Sequence, residues 1–201
     1  ARSAHATTTL IRTEGKTILV DPGLPAEAVA ARLAERSGLT PADVTDVFLT
    51  NFRPAHRRGL FAFEKANWWV FEPERETVGR MLIERLQSET EPEAQELIKQ
   101  EVAILKRCRP ATEPLAPQVD LFPSTGYTPG TCGLLISLAQ STVLVAGDAV
   151  PTVEHLRRGQ VLAGGYDTEQ ARESLAEAIE IADWIVCGHD NLVPNMTRKM
   201  F

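Results

Sequence analysis

Asp21, His56, Asp148 and His189 are polar residues whose type and position could do chemistry, because each falls just after a run that reads as a β-strand. Leu19-Val20 lead into Asp21-Pro22-Gly23, and Val47-Phe48-Leu49 lead into Asn51-Phe52-Arg53-Pro54-Ala55-His56. Val145-Ala146 lead into Gly147-Asp148, and Ile185-Val186-Cys187 into Gly188-His189-Asp190. Strand ends are where a sheet scaffold can aim side chains at a common point. Each residue also has an ordinary structural use. His189 reads as a hydrogen-bonded structural histidine, and His56 as a residue at a helix N-terminus donating to Asp148. A Gly-Asp turn caps its own loop through the carboxylate. Cys187 and His189 alternate along one strand, and Cys132 adjoins Thr131. A thiolate is a soft ligand that suits zinc, but free cysteines are among the most buried residue types, and burial is the stronger reading. Arg53, Arg57 and Arg58 surround His56 as a local basic cluster, which is either a solvated face or a mouth for a small anion such as a carboxylate or phosphate.

The elements that must position these residues can be read from periodicity. Thr7–Arg12 and Thr17–Val20 are β-prone runs around Glu14-Gly15-Lys16, a hairpin with glycine in the turn. Pro25–Ser37 places Val29 and Leu33 at i, i+4 and stops at Gly38, so it is a helix. Thr45–Thr50 is a continuous apolar run, the pattern of a strand covered on both faces. Asn67–Phe71 is the next strand. From about residue 74 to 109 the apolar residues Met81, Leu82, Ile83 and Leu86, then Leu97, Ile98, Val102 and Leu105, recur at helical spacing around Glu91-Pro92, giving two helices. Their stripes read as covering a sheet, with a lid or a dimerisation surface as sharper alternatives. Val119–Phe122, Gly133–Leu138 and Thr142–Ala146 are strands, Asp167–Ala182 is a helix capped by Asp167 or Thr168, and Trp184–Cys187 is a last buried strand. Trp68 and Trp69 read as core and sheet-surface residues rather than as a sugar platform. This order suits two packed sheets with helices outside, in one domain spanning 1–201.

Composition narrows the partners. The chain has 201 residues with 21 Lys+Arg against 27 Asp+Glu, a net charge of −6. That acidity, with no basic run, argues against nucleic acid and against anionic membranes. No stretch reaches the ~20 apolar residues of a bilayer span. Three cysteines without C-x-x-C spacing argue against a disulfide framework or zinc ribbon and fit a reduced cytoplasm. The chain opens at Ala1-Arg2-Ser3 without an initiator methionine, which reads as trimming or excision from a longer protein.

Five phrases in fixed order carry a resemblance. Leu19-Val20-Asp21-Pro22-Gly23 is followed by Leu49-Thr50-Asn51-Phe52-Arg53-Pro54-Ala55-His56-Arg57-Arg58-Gly59, then Thr128-Pro129-Gly130-Thr131-Cys132-Gly133, Val145-Ala146-Gly147-Asp148 and Cys187-Gly188-His189-Asp190. Over nearly its whole length the chain resembles the metallo-β-lactamase superfamily. The resemblance implies an α/β fold, the four-layer αβ/βα sandwich, with a metal site along the sheet edges. In that family the second phrase reads H-x-H-x-D-H, the third carries a histidine after T-P-G, the fourth supplies an Asp bridging two metals, and the fifth supplies a final histidine.

Carried over by position, Asn51 stands for the first histidine, Arg53 for the second, Ala55 for the aspartate and Thr131 for the third-block histidine, while His56, Asp148 and His189 match. Asp21 matches a residue that supports the site from behind its ligands. Four of seven ligand positions are thus lost. Alanine has no donor atom and guanidinium offers no lone pair. Arg53 is further expected to sit near the first metal's position and pair with Asp148. A binuclear centre is therefore not expected; the cofactor is none, or one divalent Zn, Fe or Mn on His56, Asp148 and His189. The resulting expectation is a hydrolase-like protein with a dismantled centre, inactive or weakly active. The alternatives are a mononuclear hydrolase of an ester, thioester, lactone or phosphoester, and a non-catalytic anion-binding or assembly module; the partners compatible with the chain are a small anionic molecule and further copies in a homo-oligomer.

Overall fold

The computed structural model describes residues 5–197, so the opening Ala1-Arg2-Ser3 lies outside the described residues. β1 (Thr9–Thr13) and β2 (Lys16–Val20) form the hairpin, and β2 runs parallel to β3 (Asp46–Leu49), β4 (Asn67–Val70) and β5 (Arg109–Pro110) in one five-stranded sheet. The second sheet has the order β10 (Leu192–Pro194), β9 (Trp184–Cys187), β8 (Thr142–Gly147), β7 (Cys132–Ser137), β6 (Val119–Pro123). It is antiparallel except for the β8–β9 pair.

Side-chain alternation along the strands explains the layering. Ile18, Val20 and Phe48 point one way, into a core shared with Val119, Leu134, Val145 and Val186 of the second sheet. Leu19, Val47 and Leu49 point the other way, with Trp68 and Val70, against Val29 and Leu33 of α1 (Ala26–Ser37) and Leu105 of α4 (Pro92–Arg107). Leu144, Ala146, Ile185 and Cys187 face outward from the second sheet onto Leu156 of α5 (Val153–Arg158) and Leu175 and Ala178 of α6 (Thr168–Ile181). The result is helix, sheet, sheet, helix, as expected. Two helix ends follow the sequence reading: Gly38 closes α1 at φ 72°, and Asp167 caps α6 by accepting from the amides of Glu169 and Gln170.

The helical segment departs from expectation in one respect. α3 (Glu72–Ser88) and α4 do cover the first sheet, with Val78, Leu82 and Ile104 packed on its core and Ile98 and Leu105 buried. Met81, Ile83 and Leu97 are instead 50%, 49% and 63% exposed. Helical spacing alone does not distinguish a stripe that meets a sheet from one left open. Among the described residues no helix is long and apolar enough to cross a membrane.

Candidate functional site

Four chain segments converge at one edge of the two sheets. Asp21, at φ 50° directly after β2, turns its carboxylate onto the end of β3, where Oδ1 accepts from the Thr50 amide at 2.9 Å and Oδ2 from Thr50 Oγ1 at 2.6 Å. Aspartate tolerates this left-handed backbone better than most residues. Past Thr50 the chain enters α2 (Pro54–Arg57), with proline in its first turn and His56 fully buried inside it. The second sheet approaches through glycines. A Cβ on Gly147 would lie 2.5 Å from Thr50 Oγ1, and one on Gly188 would lie 2.4 Å from the Gly147 carbonyl oxygen. Only glycine permits these approaches, and they bring Asp148 and His189 to His56.

The side chains form one continuous hydrogen-bonded chain. His56 Nδ1 meets Asp21 Oδ2 at 2.9 Å, and His56 Nε2 meets Asp148 Oδ2 at 2.9 Å. His189 Nε2 meets the other oxygen, Asp148 Oδ1, at 2.8 Å, while its Nδ1 donates to the His5 carbonyl at 3.0 Å. Each imidazole is thus held from behind by an acceptor on Nδ1, which turns Nε2 toward the same carboxylate. The two rings meet edge to face with centroids 5.5 Å apart. His56 and Asp148 are sealed from solvent, and only His189 is partly open.

Charge follows geometry. Burial alone would depress the His56 imidazole, but the charge of Asp21 and the hydrogen bonds to Asp148 and Asp21 carry its pKa up to about 10. Burial pushes the Asp148 carboxyl up, yet the hydrogen bonds from His189 and His56 outweigh it and hold it well below the usual carboxylate range. The hydrogen bond to Asp148 raises His189 against the opposing effect of burial. A protonated His56 therefore grips the Asp148 carboxylate, and His189 shares the same carboxylate through its other oxygen.

His56, Asp148 and His189 are brought together: one ligand atom from each lies within 4.8 Å of the others. The other family positions are placed differently. Asn51 is buried and donates Nδ2–H to Asp148 Oδ2 at 2.9 Å, while its Oδ1 accepts from the Arg53 amide at 3.0 Å. Arg53 does not pair with Asp148. Its Nη1 donates to Tyr127 Oη at 2.8 Å and its guanidinium stacks 4.2 Å from the centre of that ring. Asp148 is already supplied by three donors, so burying a guanidinium there would cost desolvation without an acceptor to receive it. Thr131 is buried and hydrogen-bonded to Thr128, and Ala55 contributes its carbonyl to the Ala6 amide.

The arginine cluster is not one solvated face. Arg58 is exposed, but Arg57 is buried, donates to the Phe52 carbonyl at 2.7 Å, stacks on the Phe52 ring and pairs with Glu101. The cysteines are buried as expected. Burial pushes the Cys187 thiol up to about 12, with Asp190 adding to it, and raises Cys132 further. Trp68 is core and Trp69 is half-buried at the sheet surface.

Two residues escaped the sequence reading. Glu74 on α3 is buried and accepts from the Phe52 amide (2.9 Å), the Gly130 amide (2.8 Å) and Thr128 Oγ1 (2.7 Å), fastening both loops to one helix. Nothing in its local sequence distinguishes it from a surface glutamate in a helical first turn. Tyr127 sits one residue before the T-P-G phrase, and adjacency to that motif was the only available signal.

The same fold is found in solved structures. AidC, a dizinc quorum-quenching lactonase in complex with a product, N-hexanoyl-L-homoserine, superposes with a TM-score of 0.71 at 18% identity, over 96% of this chain and 79% of its own. A putative metallo-beta-lactamase from Thermotoga maritima gives 0.68 at 19% identity, over 94% and 88%. A B. thuringiensis AiiA variant with N-decanoyl-L-homoserine at its active site gives 0.63 at 24% identity, over 90% and 79%. No curated protein matches. The metallo-beta-lactamase superfamily profile matches residues 4–189, and with the sandwich, the order of the five phrases and the placement of His56, Asp148 and His189, the chain belongs to that superfamily.

Proposed function

We propose that this chain is a metallo-β-lactamase-fold, hydrolase-like protein whose binuclear centre has been dismantled, leaving it inactive or weakly active as a metallohydrolase. The observation that carries this reading is the Asn51 amide on Asp148 Oδ2, a proton donor on an oxygen that a bridging role would need free. The residues present do not fit two cations: beside Asn51, the other first-metal positions are an outward Arg53 and a Thr131 spent on Thr128. Among the described residues every buried side-chain nitrogen and oxygen has a partner, so the polar cluster is satisfied as it stands. Elemental analysis of protein purified without chelator tests this. Fewer than two metals per chain is the expected result, and two tightly bound metals overturn the proposal.

A second reading rests on a separate observation, the convergence of two imidazoles and one carboxylate with both Nε2 atoms turned inward. These residues fit one divalent cation, held by His56, Asp148 and His189. When bound, such an ion supplies Lewis-acid polarisation of a carbonyl or phosphoryl oxygen. Asp21 and the His5 carbonyl would keep the Nδ1 protons, so each ring could release its Nε2 proton and present a lone pair. Hydrolysis of generic esters, thioesters, phosphoesters and lactones with added Zn²⁺, Mn²⁺ or Fe²⁺ separates the readings; lactones are included because AidC is a lactonase. A rate above that of His189→Ala establishes the second reading, and equal rates leave the first.

A further inference from the structure

A groove of about 710 Å³ opens beside the candidate site, and none of His56, Asp148 and His189 lines it. Arg53 and Tyr127 line it, as do Val78, Met81 and Leu82 of α3. Those three residues stand at i, i+3 and i+4, on one side of the helix, and Met81 is half exposed. The groove thus joins an apolar strip of α3 with a cation, Arg53.

Part of the charge lining the groove is already engaged. Arg57 is paired with Glu101, and Glu74 spends its oxygens on two amides and a hydroxyl. Glu84 and Arg85, of opposite sign, also line the groove, and neither is in an ion pair among the described residues. Arg53 has no carboxylate within ion-pair distance among the described residues. Its side chain makes one hydrogen bond, to Tyr127 Oη. A guanidinium carries five N–H donors, so others remain. The phenol is the acceptor in that bond, and its own proton has no protein acceptor among the described residues. Guanidinium and phenol together therefore offer a convergent, unfilled donor set, the arrangement that receives a carboxylate.

We propose that this groove binds a monocarboxylate bearing an apolar chain, its head held by Arg53 and Tyr127 and its chain lying over Val78, Met81 and Leu82. The site requires no metal and stands whichever reading of the histidine cluster holds.

Isothermal titration of the whole chain in EDTA tests it, with octanoate as probe, octanol as the same chain without the charge, and acetate as the same head without the chain. Octanoate is expected to bind at one site, with octanol and acetate weaker by about tenfold or more. Arg53→Gln should weaken octanoate by about tenfold and leave octanol unchanged, while Arg85→Gln changes neither. Met81→Glu, at an exposed position that circular dichroism can confirm as folded, should abolish octanoate binding. The proposal is overturned if octanoate does not bind, if octanol binds equally well, or if the head proves to need Arg85. It is also overturned if Met81→Glu converts a dimer to a monomer without affecting octanoate, since the groove would then be an interface between copies.

Discussion

Asn51 Nδ2 donates to Asp148 Oδ2 at 2.9 Å, on the same oxygen that His56 Nε2 reaches at 2.9 Å. An amide and an imidazole have similar reach, but here the amide presents a hydrogen where a ligand would present a lone pair. Asn51 therefore helps to satisfy this carboxylate with a hydrogen rather than a lone pair. The neighbouring Arg53 is then not needed for charge balance, which accounts for its outward course to Tyr127.

Asn51 should be a stability residue. Asn51→Ala leaves Asp148 short of a donor inside a buried cluster, and losing a partner of a buried polar group costs about 1–3 kcal/mol. For a chain of this size each kcal/mol lowers Tm by about 2–4 °C. Differential scanning calorimetry of chelated wild type and variant measures the loss. An unchanged Tm would mean that the amide is not what completes the cluster.

The cluster also sets a pH dependence. His56 titrates near 6.5 when unfolded but near 10 when folded, so the folded state holds the extra proton between these values. Its contribution is complete below about pH 6.5 and is lost as pH rises toward 10. Asp148 has the opposite sense: its lowered pKa contributes stability above the ordinary 3.8, and this is lost as pH falls below that value. Chelated protein should therefore be most stable between about pH 4 and 6.5, with Tm falling from pH 7 to 10. His56→Gln should flatten the alkaline limb. A wild-type Tm that stays level across that range would show that His56 is not held as the cation.

Much of this arrangement was legible because it depends on patterns that repeat. The opposed directions of Ile18 and Leu19, and of Phe48 and its neighbours, follow from strand alternation, and a run apolar on both faces already implies cover on both sides. Asp21, His56, Asp148 and His189 were legible as a set because a strand precedes each. The destination of Arg53 was not, because Tyr127 lies 74 positions away and the choice between it and Asp148 turns on how many donors Asp148 already has. Glu74 was illegible for a related reason: its partners come from two distant loops. β5 and β10, of two and three residues, are too short to carry a periodic signal and exist through pairing with β4 and β9.

The strongest test of a dismantled centre is to rebuild it. Asn51→His, Arg53→His, Ala55→Asp and Thr131→His restore the donor types while leaving His56, Asp148 and His189 in place. The loops that must carry them are still fastened independently of any ion: Asp21 holds Thr50, Asn51 holds the Arg53 amide, the Ala6 amide holds the Ala55 carbonyl, and Glu74 ties Phe52 to Gly130. The quadruple variant should therefore take up about two zinc ions per chain by elemental analysis, against fewer in wild type. In EDTA it should melt below wild type, because clustered imidazoles and an added carboxylate are then poorly compensated. Thr131 is the critical position, since its hydroxyl is packed against Thr128 and a larger ring must turn toward Asp148 instead. Uptake no greater than wild type would mean that the backbone of these loops does not hold the four positions in ligand geometry, whatever side chains they carry.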